Sequence, residues 1–366
     1  MRRGWAVLIG VAAFGTAVAV GGMASALAAP AGWSVDPVPH PPGQNTTLAG
    51  VAAVGANEFF AVGRSTPGAA PRTTPLILHN AGKGWKVELT PSTGGGRLNG
   101  ISAAAPKDIW AVGSRAGELV DRALIEHYDG TRWRLVAAPP VPRTASLNAV
   151  SARSPLDAWA VGTQGSRPLI ERWNGSVWSV VPAADTPDGS ALYGVAAISF
   201  TNVWAVGGIP TGGGPGARPL IEHWDGTAWT VVPLVVPEVA TNLDRTLRAI
   251  TYLSAYNVWT VGGGGLILHF GGAGWTSQPS NIGIDPAKFT LSGVAGRASN
   301  DMWTVGYTTT TAGTLSAHFD GTQWTNVPGP AGNALYGAAR ARNGPTVAVG
   351  ARGDAGNLAP LIARTG

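Results

Sequence analysis

The chain contains no cysteine. That removes disulfides, thiol nucleophiles, iron–sulfur clusters and cysteine-ligated zinc. A hydrophobic core must then hold the folded state, and a single domain of this size can bury enough surface to do so. Charge is scarce as well, with only 12% of residues Asp, Glu, Lys or Arg. Exposed loops must therefore be covered by Gly, Ser, Thr, Asn and Pro. The formal net charge of +5 is small, and no cluster of Lys and Arg marks a nucleic-acid footprint. No segment carries a sustained helical apolar period. His-Glu-x-x-His, Gly-x-Ser-x-Gly and Walker motifs are missing, and the glycine-rich stretch Gly207–Gly216 joins two strands without opening a helix.

The N-terminus reads as an export signal over residues 1–28. Arg2 and Arg3 start it, Ala6 to Val20 is apolar, and Ala26-Leu27-Ala28 is a small-x-small cleavage site. The apolar run falls short of the roughly 20 strongly apolar residues a membrane span needs. A secreted chain with no span after signal removal is the expectation.

Across the rest, residues 29–366, a tetrapeptide returns seven times: Phe60–Gly63, Trp110–Gly113, Trp159–Gly162, Trp204–Gly207, Trp259–Gly262, Trp303–Gly306 and Val347–Gly350. A period of 44 to 55 residues of strand-like sequence means stacked β units. One copy shows four runs of β-formers: Ala191–Ala197, Asn202–Gly207, Arg218–Trp224 and Asp225–Pro233. Asp-Gly or Asn-Gly joins the last two runs, as at Asp129-Gly130 and Asn174-Gly175, the pairs a tight hairpin turn favours. Four antiparallel strands make one propeller blade. The expected fold is all-β, a seven-bladed β-propeller with blades near 47–91, 97–141, 146–183, 191–234, 246–279, 290–329 and 334–366. The last copy stops after its third strand, and residues 32–39 resemble the missing fourth. That N-terminal strand should close the ring and remove its open edge.

The signature Asp-Val/Ile-Trp-Ala-Val-Gly, followed by Pro-Leu-Ile-Glu-His-Trp-Asp-Gly-Thr-x-Trp, resembles the bacterial secreted β-propeller repeat proteins over the whole mature chain. Asp225-Gly226-Thr227-Ala228-Trp229 is similar to the Asp-box turn of sialidase-type propellers, though that box is spaced one residue wider. The double glycine of kelch repeats is not regular here, and the Gly-His…Trp-Asp pairing of WD repeats is missing. The resemblance implies a fold; propellers host hydrolases, lectins and scaffolds alike.

Residues at the same address in every blade maintain blades, so the Trp rows on the second and fourth strands read as interblade packing. The histidines His79, His127, His223, His269 and His318 share one address, with Arg172 and Arg364 at the other two. Strands stack about 4.8 Å apart, which sets that address too far from the axis for neighbouring blades to share an ion. Hydrogen bonding within the blade, to Glu58, Asp108, Asp157 or Asp301, is the expectation, with no metal and no cofactor. Chemistry at one point needs departures from the repeat. Between the inner-strand Leu and its small neighbour stand Ala49, Asn99, Asn148, Tyr193, Arg248, Ser292 and Tyr336. If these point into the channel mouth, Tyr193, Arg248, Tyr336, Asn99 and Asn148 form a binding ring suited to a neutral or weakly anionic sugar; the alternative is packing between blades. Glu238, Asp244 and Asp285 lie in the loops of the variable face, and two carboxyls about 5–9 Å apart could serve a glycosidase. The leading reading is a secreted, monomeric, non-catalytic module that binds extracellular or cell-wall glycan. A glycan-cleaving enzyme and a protein–protein interaction propeller are the alternatives.

Overall fold

Short runs of β-formers between turn residues become 28 strands in a computed structural model. It describes residues 32–366 except 41–42, 68–71, 118–119, 213–215 and 236–242. The segment read as an export signal lies outside the described residues. The strands pair into seven four-stranded antiparallel sheets, the blades of a propeller. Numbered from the chain start, their innermost strands are Gln44–Ala53, Gly96–Ala105, Ala145–Ser154, Ala191–Ser199, Leu247–Ser254, Phe289–Ala298 and Ala334–Arg340. Among the described residues the single helical element is a short 3-10 turn, Pro286–Lys288. No helix there is long and apolar enough to cross a membrane.

The tryptophans set the spacing between blades. Each fourth-strand Trp from blade 2 onward stands edge-on against the second-strand aromatic of the preceding blade. The pairs are Trp133–Phe60, Trp178–Trp110, Trp229–Trp159, Trp275–Trp204, Trp324–Trp259 and Trp33–Trp303. Centroids lie 5.2 to 6.0 Å apart and planes cross at 72 to 83°. The positive ring edge meets the negative face, worth roughly 0.5–1.5 kcal/mol per pair beyond area burial. At the seventh junction Val347 takes the aromatic's place, packed in one cluster with Trp85. These rings are buried, apart from the partly exposed Trp33 and Trp275, and pack against each other between blades.

The glycine of the repeated tetrapeptide answers to the inner strand. In every blade the first ladder slips at the residue after the inner-strand Leu, as between Leu147 and Ala149 opposite Gly162. This is a β-bulge: one residue is left unpaired and the strand bends. The bend drives the carbonyl before the Leu onto the tetrapeptide glycine. A Cβ on Gly162 would sit 2.0 Å from the Ser146 oxygen, and Gly63, Gly113 and Gly306 face the same clash. The small residue after the bulge is needed for a second reason. A Cβ on Gly100 would meet the Ala149 Cα of the next blade at 2.9 Å.

The N-terminal strand, Trp33–Val35, pairs antiparallel with the last strand, Asn357–Thr365, in the register Trp33↔Thr365 and Val35↔Ala363. It is the fourth strand of blade 7, as expected. Side chains reinforce the join. Trp33 Nε1 donates to Ser316 Oγ at 2.8 Å, and the Arg364 guanidinium pairs with Asp36. Asp36 also accepts from Trp85 Nε1 of blade 1 at 2.8 Å, so one carboxylate ties both sides of the seam.

Two outcomes test this account. Deleting residues 32–39 should abolish cooperative unfolding or send the protein into aggregates, and unchanged melting of the truncated protein would refute closure. Gly162→Ala should lower unfolding free energy by about 1–3 kcal/mol in denaturant titration, because backbone has to yield.

Candidate functional site

The bulges that displace the ladders also aim side chains. All seven bulge residues, Ala49, Asn99, Asn148, Tyr193, Arg248, Ser292 and Tyr336, line one cavity of about 390 Å³ on the channel axis. The sequence-derived ring is therefore assembled in one place. Three members also clip neighbouring blades: Asn99 Nδ2 donates to Leu147 O and Asn148 Nδ2 to Leu192 O, each at 2.8 Å, and Ser292 Oγ donates to Leu335 O. The packing alternative thus holds for these residues alongside their exposure to the channel. Tyr307 joins the wall and meets Tyr336 edge-on at 5.8 Å. The sequence reading passed over it, although it stands directly after a repeat glycine, where the other copies vary from Gly to Arg.

Blades 4 and 5 supply the most built part of the mouth. The Arg248 guanidinium lies 4.8 Å from the Tyr193 ring centre, in cation–π contact. Asp244 Oδ2 receives its Nη2 at 2.9 Å. Asp244 is itself fixed by a parallel bridge to Ala217 and by accepting from Thr246 N at 2.9 Å. Burial raises the Asp244 carboxyl, but the hydrogen bonds from Thr246 and the Arg248 charge outweigh it and hold it below the usual carboxylate range. Asp244 is thus ionised and held by Arg248. Asp285 caps the 3-10 turn, accepting from Ala287 N at 3.0 Å, with Lys288 Nζ 3.9 Å away. Glu238 lies outside the described residues. The carboxylates nominated for glycan cleavage are therefore engaged locally wherever they are described.

The histidine row is structural. His79, His127 and His318 reach Glu58, Asp108 and Asp301 at 3.0, 2.7 and 3.1 Å, while His223 and His269 use Asn202 and Asn257. Each ring also packs on its own blade's second-strand aromatic, as His127 on Trp110 at 4.2 Å. Arg172 substitutes a guanidinium over Trp159 and pairs with Asp157. Among the described residues no three His, Asp or Glu side chains are grouped to hold a metal. The Asp-Gly turns are four-residue loops and not the tight two-residue turns the pairs suggest, since Tyr128 pairs directly with Trp133. In them Asp225 Oδ1 accepts from Thr227 and Ala228 amides, and the Thr227 hydroxyl and these amides pull its pKa down to about 2.

The repeated acids of blades 2 to 4 are the least expected feature. Glu126, Glu171 and Glu222 are wholly buried. Glu222 accepts one hydrogen bond, from Ala184 N at 3.1 Å in the connection from blade 3. Ala184 stands six residues after the fourth-strand Trp178, and the same address after Trp85 and Trp133 holds Pro91 and Pro139. Proline has no N–H to give. Neither Glu126 nor Glu171 has a hydrogen-bond partner. Burial alone pushes Glu126 up to about 7 and Glu171 to about 8; Glu222, with its one donor, stands at about 7.

No protein-family model matches the chain, and no curated protein matches it. Solved structures do. It is similar to YCF48 bound to D1 peptide (14% identity, TM-score 0.58, covering 91% of this chain and 94% of that one). It is also similar to YCF48 from Cyanidioschyzon merolae (16%, TM-score 0.58, 91% and 99%). The WD40 β-propeller domain of Doa1 matches as well (11%, TM-score 0.60, 91% and 97%). At these identities the likeness carries the fold: a seven-bladed β-propeller.

The buried acids generate a pH prediction. A glutamate with a folded pKa above its ordinary 4.5 keeps its proton in the folded state after the unfolded chain has released it. The stability it lends is whole below pH 4.5 and drains away as pH rises towards about 8. Half-buried His223 and His269, pushed down by burial, act in the opposite direction below pH 6.5. The informative measure is therefore the difference between parent and Glu171→Gln. Between pH 4.5 and 8.5 the variant should gain roughly 2–4 kcal/mol relative to the parent, followed by denaturant titration at each pH.

Proposed function

We propose that the protein is a non-catalytic propeller that holds a polypeptide segment in the mouth of its channel, acting after export. The observation carrying this reading is the ring of seven bulge residues around one cavity of about 390 Å³, varied from blade to blade while the blades themselves repeat. Tyr193 and Tyr336 offer flat, rotationally restricted surfaces, Asn99 and Asn148 offer amides, and the pinned Arg248 offers a cation. This mixture suits a peptide backbone with its side chains and termini. The D1 peptide bound by YCF48, a protein of the same fold, favours a polypeptide over the glycan expected from the sequence. The engaged state of Asp244 and Asp285 argues against cleavage at the mouth.

Panning a random peptide display library against the purified protein tests the reading. Enriched peptides should bind saturably and lose at least tenfold in affinity to Tyr193→Ala/Arg248→Ala. Asp285→Ala should leave binding unchanged. Equal binding to the double variant, or saturable binding on a glycan array with no peptide enriched, would overturn it.

A further inference from the structure

We propose that a second pocket, on the loop-rich face between blades 1 and 2, binds a tetrahedral oxyanion: a phosphate or sulfate group, free or as an ester head. It has a volume of about 180 Å³ and is lined by Arg72, Arg97, Arg115, Ser114, Asp121 and the glycines before Arg97. Three separate segments deliver the guanidiniums. Arg72 precedes the third strand of blade 1, Arg97 lies on the inner strand of blade 2, and Arg115 ends that blade's second strand, Asp108–Arg115. The Gly94–Gly96 turn draws them together. Gly96 N donates to Thr73 O at 2.8 Å on one side, and Ala116 N donates to Gly95 O at 3.4 Å on the other. The approach is too close for a side chain, since a Cβ on Gly96, at φ +151°, would lie 2.6 Å from Ser114 O.

What distinguishes this cluster is that, among the described residues, no carboxylate pairs with its arginines. Elsewhere on the same face the connection between blades supplies a carboxylate to its arginine. Asp185 and Asp188 hold Arg167, and Asp244 holds Arg248. The connection from blade 1 to blade 2 is acid-free from Leu89 to Gly96. Among the described residues Arg97 and Arg115 make no ion pair or hydrogen bond, and Arg72 reaches only Gly94 O, at 3.4 Å. Asp121 lines the pocket but pairs with none of the three, so among the described residues three arginines and a single carboxylate line about 180 Å³. Guanidinium forks around a polar space of that size match a compact dianion, and several can bind it in bidentate fashion.

Isothermal titration of the protein with inorganic phosphate and with sulfate, at pH 7.5 and low salt, tests the site, with acetate as the planar monoanion control. One phosphate should bind, acetate at least tenfold more weakly. Arg97→Ala/Arg115→Ala should weaken phosphate at least tenfold, and Asp121→Asn should tighten it several-fold; the latter keeps the test decisive if the double variant folds poorly. Phenyl phosphate binding as tightly as phosphate assigns the pocket to an ester head, and its exclusion assigns it to the free ion. Tyr193→Ala/Arg248→Ala should not change phosphate binding, which separates this proposal from the peptide reading. Absence of phosphate binding, or equal affinity in Arg97→Ala/Arg115→Ala, would overturn it.

Discussion

The edge-on meeting of a fourth-strand tryptophan with the aromatic of the blade before it is the contact on which the molecule depends. It recurs at six of seven junctions with nearly constant separation and crossing angle. A ring of seven wedges closes only if their turns add up to one full circle. A rigid, directional contact repeated at the outer edge sets each turn better than a pliable aliphatic one. The junction with Val347 lacks the aromatic partner, and there the Asp36 carboxylate bridges Arg364 and Trp85. Charge and hydrogen bonding thus replace aromatic geometry at this junction, beside the non-covalent pairing of the first and last strands.

Inside that frame, glycine, bulge and channel form one mechanical unit. The tetrapeptide glycine leaves room for a displaced carbonyl, the displaced carbonyl accompanies a bulge, and the bulge turns one side chain per blade towards the axis. The backbone device is the same in all seven blades, while the side chain it presents is free to vary. A scaffold of this kind lets the mouth change its chemistry without disturbing a blade. The uneven ring, with Arg248 and Tyr193 side by side and Ala49 leaving no side-chain bulk in blade 1, is what such freedom produces.

Much of this was readable from the residues, and the failures have physical causes. Recurring Trp and Gly at one address disclosed the blades, and the half-copy at each end disclosed the closure. The repeat address gave the partners of His79, His127 and His318, while His223 and His269 use Asn202 and Asn257, amides that the expectation of an acid did not cover. The mouth residues were found because they vary where their neighbours repeat, but the bulge presenting them was invisible, since an extra residue in a ladder alters no composition. Asp36 escaped notice because its partner Arg364 is 328 residues away in sequence. Glu126 and Glu171 share one repeat address with Glu222, and nothing local in the sequence sets them apart. Their isolation arises from prolines on a different strand connection, a coincidence seen only once the blades are stacked. The arginine that holds Asp244 was not legible either, because Arg248 stands on the next inner strand and reads there as a mouth residue.

The seam also decides which way the molecule faces. Trp33 pairs with Thr365, so Gly32 and Gly366 both leave from the rim on the side of the short hairpin turns, away from the loops around the mouth. Any tether joined at either point, whether a surface, a bead or a second folded unit, would hold the disc from behind. The opening would then be presented outward, unobstructed by its own attachment.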